Sequence, residues 1–296
     1  MTASSVGKAD GTVAQRIRGV RDRVAPAELA VISNLLDNYP MAGLMPVAQL
    51  ASNAGVSAPT VLRLVTKLGF PGYAAFQKAL RGEVSQRLFS PVDVYPESAA
   101  GSGAREGSKA LTLAQSAFID GIKATFANLD SAELEGVVAL LADVGRPVYL
   151  LGGRFSSVLA THLGAYLTML RPDVQVIAPH SGAQIPAMID IDKRSVVVVF
   201  DYRRYQHTTI DWGMQAVKRG AKLVLITDQY LSPLATHASL LLTNNATGLS
   251  PFDSMTSGFA LVELIISQLA QKLGKSARAR LTAFEAMQEQ EEQPKG

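Results

Sequence analysis

Five short apolar runs separated by helix-length segments do most to limit what this chain can fold into. They are Pro147–Leu151 (PVYLL), Val174–Ile177, Ser195–Phe200 (SVVVVF), Lys222–Ile226 (KLVLI) and Leu240–Thr243. Each is rich in β-branched residues, and four are near-continuously apolar, as strands covered on both faces must be. Helical segments at about 154–169, 182–189, 207–219 and 254–273 separate or follow them. Strands alternating with helices in this way predict a parallel sheet wrapped on both sides, a doubly wound α/β domain.

Upstream of Ser90 the apolar period is helical throughout. Pro26 opens a helix through about Asn38, with Leu29, Ile32, Leu35 and Leu36 facing inward. In VAQLASNAGVSAPTVLRLVTKL, residues 47–68, Val47, Leu50, Ala51 and Ala54 share one helical face. Gly55 stops that helix, Ser57 is placed to cap the next, and Pro59 falls in its first turn. Val61, Leu64, Val65 and Leu68 form the apolar face of the second helix, so Thr60, Arg63 and Lys67 project elsewhere. This spacing predicts a helix-turn-helix whose second helix can enter a DNA major groove; the plainer alternative is a helical hairpin. Ser57, Ala58, Thr60, Arg63 and Lys67 are the candidate DNA contacts, with Arg63 best suited to guanine. A further helix starts near Gly72 and packs Tyr73, Phe76 and Leu80 on the hairpin. Arg16, Arg18, Arg21 and Arg23 precede the first clear helix, either in reach of a phosphate backbone or as a solvated face.

Composition divides the 296 residues accordingly. Residues 1–12 are small, polar and expected to be disordered; 13–89 form the helical domain. Residues 90–108 (SPVDVYPESAAGSGAREGS) read as a linker, 109–280 as the α/β domain and 281–296 as a polar tail. Residues 1–90 hold ten Lys/Arg against five Asp/Glu, whereas 91–296 hold eighteen against twenty. The positive excess thus sits with the helical hairpin, where a phosphate backbone would be met. No apolar run is long enough for a membrane span, no export signal is visible and cysteine is absent, which together suggest a cytoplasmic protein.

In an open parallel sheet, ligands bind outside the carboxyl ends of the strands. Two loops qualify. In Gly152–Ser157 (GGRFSS), Gly152 allows close backbone approach, Arg154, Ser156 and Ser157 offer polar groups, and a helix begins. After the third strand, Asp201, Arg203, Arg204 and Tyr205 cluster, and two guanidinium groups there suit an anion. Adjacent residues point apart, so at most one arginine is expected to face a ligand. His180–Gly182 offers a third loop and Glu263 a lone carboxylate. The histidines lack zinc spacing, no Ser/His/Asp set is visible, and neither a metal, a cofactor nor a catalytic residue is assigned.

The two halves together resemble the RpiR/MurR-type bacterial transcription regulators, over about Ala25–Leu273. AQLASNAGVSAPTVLRLVTKLGFPGYAAFQKAL resembles the family's "AELA…GVS…TV.RF…LGF.GF..F…L" signature, and ITDQYLSPLATHASLLL its "IT…SPLA..AD..L" segment. The resemblance implies a helix-turn-helix domain followed by a sugar isomerase (SIS) domain, a five-stranded parallel sheet flanked by helices. It further implies a homodimer or homotetramer on double-stranded operator DNA, with a small anionic effector such as a sugar phosphate. SIS domains that bind phosphosugars usually carry G-x-G-x-S after the first strand; here Gly152 and Ser156 fit, and Arg154 replaces the second glycine. Their S-x-S-G-x-T is replaced by Asp201, Arg203, Arg204 and Gln206. These departures favour a sensor over a catalyst. The alternatives are a phosphosugar isomerase with an accessory helical domain, and a protein-interaction module.

Overall fold

The computed structural model describes residues 12–37, 39–87, 106–179, 182–249 and 252–292. The expectations for residues 1–11, for the linker over 90–105, for His180 and for the last four residues lie outside them. The chain divides into two compact units, Met1–Asp93 and Val94–Gly296.

The first unit is all helical: α1 (Val13–Val20), α2 (Pro26–Asp37), α3 (Met41–Leu44), α4 (Val47–Asn53), α5 (Ala58–Lys67) and α6 (Tyr73–Arg87). Sequence reading placed no helix before Pro26, yet α1 holds Arg16 and Arg18. Thr12 and Gln15 close a reciprocal capping box at its start, and Val13, Ala14 and Ile17 are buried. Val13 and Ile17 join Ile32, Leu35, Leu50, Val61, Leu64, Phe76 and Leu80 in one core. Arg16 stays inside this unit: its guanidinium stacks on Phe70 and donates to the Leu68 carbonyl at 3.3 Å. Tyr73 packs beside Phe76 and donates its hydroxyl to the Met45 carbonyl at 2.8 Å.

The second unit begins with α7 (Glu106–Ala127) and α8 (Ser131–Ala142). Asp130 caps α8, accepting from the Ala132 and Glu133 amides. Five parallel strands follow, β1 (Val148–Gly152), β2 (Val174–Ile177), β3 (Val196–Asp201), β4 (Lys222–Asp228) and β5 (Leu240–Asn244), in the order β2-β1-β3-β4-β5. Between them run α9 (Ser157–Leu170), α10 (Gln184–Asp190) and α11 (His207–Lys218), and α12 (Thr256–Glu292) closes the chain.

Strand period sorts the side chains by face. Val148, Leu150, Val196, Val198, Phe200, Val224 and Ile226 share a core with α8, α9 and α12. On the other face α11 packs against β3 and β4, and buries Trp212 and Ala216. Close approach of α9 to β2 needs a residue without a side chain: a Cβ on Gly164 would lie 2.1 Å from Val176 Cγ2. The edge strand β2 leaves Gln175 and Val176 exposed, as its polar Gln175 allows. The expected polar tail is helical as far as Glu292, continuing α12 past a break at Gly274 (φ +52°).

Arg171 at the end of α9 is 1% exposed and donates to the Leu141, Asp143 and Arg146 carbonyls. It thereby satisfies the orphan carbonyls where α8 ends.

Candidate functional site

The α4–α5 turn forms for the reason the sequence gives it. Gly55 takes φ +66°, and Val56 N–H donates to the Ala51 carbonyl at 2.9 Å, closing the end of α4. Ser57 then precedes α5 in an extended conformation but its hydroxyl does not cap the helix. It shares a 3.0 Å hydrogen bond with the Thr60 hydroxyl instead, and Arg63 Nη2 donates to the same Thr60 oxygen at 3.1 Å. The five sequence candidates therefore separate. Ser57 and Arg63 are exposed, Ala58 is half-buried, and Thr60 is buried, serving as the bracket that orients Arg63. Lys67 Nζ is 2.7 Å from Oε2 of Glu28, a carboxylate almost fully buried in α2 that also accepts from the Ala25 amide. The Lys67 hydrogen bond is the main reason that the Glu28 carboxyl lies below its ordinary range. Sequence reading missed Glu28 because the pair spans thirty-nine positions.

In the second unit the helices after β1 and β3 leave toward opposite faces, which makes the gap between their ends the switch point. Gly152 is indispensable to the first turn: a Cβ there would lie 2.5 Å from the Ser157 backbone. Ser156 is buried and donates its hydroxyl to the Phe200 carbonyl at 2.6 Å, while accepting from the Gly153 amide. It stitches β1 to β3. Ser157 is half-buried and begins α9, and Arg154 is exposed. Gln206, ahead of α11, spans the gap by accepting the Arg154 N–H at 2.6 Å. Its side chain joins the two predicted loops, and it was not among the candidates.

The loop after β3 turns through Tyr202–Tyr205, with Arg204 at φ +72° and Tyr205 at φ +20°. Two consecutive non-glycine residues in this region are uncommon and costly. The turn separates the two arginines. Arg203 points inward, paired with Asp253 and stacked on Tyr230, and its N–H donates to Asp228 at 2.6 Å. Arg204 points outward and is exposed. Tyr205 donates its hydroxyl to Asp228 Oδ1 at 2.8 Å.

Two buried carboxylates lie beneath this loop. Asp228 also accepts from the Tyr230 amide. Asp201 accepts from the Ser232 hydroxyl on Oδ2, while its Oδ1 has no hydrogen-bond partner among the described residues. Burial pushes the Asp201 carboxyl up to about 7; the Ser232 hydroxyl opposes this, the Asp228 charge adds to it, and the Gln206 N–H opposes it. Burial likewise raises Asp228. Glu263 lies on α12 and contacts His162 of α9 at 2.5 Å. No group of three His, Cys, Asp or Glu suited to a metal occurs among the described residues.

A helix-turn-helix unit and a doubly wound unit with its switch point between β1 and β3 define the class of protein. Residues 11–87 match the helix-turn-helix domain of the rpiR family, and residues 140–268 match the SIS domain. The chain belongs to the RpiR-type transcriptional regulators, which combine the two. It is 23% identical over 268 residues to an uncharacterized HTH-type transcriptional regulator of Haemophilus influenzae, covering 88% of this chain and 91% of that one. Among solved structures, the sugar isomerase domain of an RpiR transcription factor from Sphaerobacter thermophilus is similar over 60% of this chain and 98% of its own, with 20% identity and a TM-score of 0.57. The Vibrio vulnificus NanR protein complexed with ManNAc-6P is similar over 93% of this chain and 98% of its own, with 17% identity and a TM-score of 0.51. No described helix is long and apolar enough to cross a membrane.

Proposed function

We propose that this regulator works in the cytoplasm as a homo-oligomer, holding operator DNA with α5 and sensing a small anionic metabolite between the β1 and β3 loops. The observation that carries the sensing half is the outward pair Arg154 and Arg204. Both are exposed, neither side chain has a hydrogen bond or ion pair among the described residues, and Gln206 ties their loops together ahead of α11. Two guanidinium groups near the amino-terminal end of a helix favour a phosphate or carboxylate. Arg203 takes no part, because Asp253 already neutralises it. The phosphorylated sugar held by the Vibrio relative is a compound of the same chemistry.

The reading is a sensor and not a catalyst. Asp228 accepts three hydrogen bonds from within the protein, and Glu263 is engaged by His162. Thermal-shift screening of phosphorylated sugars and small organic acids tests the site. A ligand that raises the melting temperature of the wild type but not of Arg154→Ala/Arg204→Ala supports it. Equal shifts in both proteins refute the arginine pair, and turnover of an aldose or ketose phosphate would move the assignment to an isomerase.

A further inference from the structure

The outward face of α5 carries one side chain that phosphate contact does not explain. Val61, Leu64 and Val65 are buried against the helical core, so the opposite side of the helix presents Pro59, Leu62, Arg63 and Thr66. Positions three and four apart are neighbours on a helix, which makes these four a continuous patch. Leu62 is 42% exposed at its centre. Thr66 spends its hydroxyl on the Leu62 carbonyl at 3.1 Å, leaving the patch apolar on the side away from Arg63. Arg63, by contrast, is held by Thr60 at 3.1 Å. The reading face is therefore half guanidinium and half hydrocarbon.

A major groove offers one apolar group that varies with sequence, the C5-methyl of thymine. We propose that Leu62 is a specificity-determining residue that packs on a thymine methyl beside the base pair read by Arg63. The proposal rests on α5 entering the major groove. Burying one methyl against Leu62 is worth about fourfold in affinity, the equivalent of ~0.8 kcal/mol per buried carbon.

The test uses the full-length protein. Duplexes enriched from random DNA by the wild type are remade with each thymine replaced singly by deoxyuridine, which removes only the methyl. The expected result is one position per half-site where this lowers wild-type affinity about fourfold, while Leu62→Ala binds both duplexes alike. Wild-type indifference at every thymine, or full discrimination retained by Leu62→Ala, overturns the proposal. If Arg63→Ala still loses affinity in that case, the groove-reading role of α5 stands and only Leu62 is wrong. If no sequence is enriched at all, the groove reading fails and takes the proposal with it.

Discussion

Asp201→Asn should change how the stability of this protein depends on pH more than it changes stability at any one pH. The carboxyl is 1% exposed at the end of β3, and burial, reinforced by the Asp228 charge, carries it from an ordinary 3.8 to about 7. A separation of about three pH units corresponds to about 4 kcal/mol favouring the protonated form in the folded chain. The unfolded chain releases this proton near 3.8, the folded chain only near 7. Between those values the folded state holds the extra proton, so stability falls by up to about 1.4 kcal/mol for each pH unit gained and levels off above 7. Asparagine has no proton to lose. Urea unfolding followed by circular dichroism at pH 5, 6, 7 and 8 should show the variant gaining on the wild type by about 2–3 kcal/mol between pH 5 and pH 7. The gap should then widen by only a few tenths of a kcal/mol up to pH 8. Two stability curves running parallel from pH 5 to pH 8 would refute the argument, whatever their separation.

Lys67→Met should destabilise the protein by about 1–2 kcal/mol at neutral pH, since it strips a buried carboxylate of its charged donor. The penalty should shrink as pH falls through the lowered Glu28 titration, because a protonated Glu28 needs no cation; chemical denaturation at pH 7 and pH 4 reads both effects. Gly152→Ala should cost about 1–3 kcal/mol or more, since its methyl would meet backbone at Ser157 rather than a side chain that can turn away. A melting temperature within a degree of wild type would show that the β1 turn can open.

The strands were legible because burial on both faces leaves little choice of residue in Ser195–Phe200 and Lys222–Ile226. The α4–α5 turn was legible because Gly55 takes a φ that few other residues accept. The helix α1 was hidden by its arginines, Arg16 and Arg18, which read as a basic stretch, although Thr12 and Gln15 had the spacing of a capping box. Ser57 looked like a cap and Ser156 like a ligand hydroxyl, and both spend their oxygens within the protein. No local pattern distinguishes those outcomes, because each depends on a partner contributed by the fold. The arginines show the same limit. That one of Arg203 and Arg204 would turn away follows from chain geometry; which one depends on Asp253, fifty positions on.

The Glu28–Lys67 pair also bears on how tightly this protein can hold DNA of any sequence. Affinity for random duplex comes from counterions released by phosphate contacts, with log K falling by roughly 0.9 per contact for each decade of salt. Residues 1–90 hold ten Lys/Arg, but Lys67 is paired with Glu28 and Arg16 is turned onto Phe70. Neither is available to displace an ion from the duplex. The non-specific hold expected of this unit is therefore weaker than its ten cationic side chains suggest, and on the proposed reading Arg63 would carry a larger share of the whole. On that reading the protein would leave wrong sites quickly.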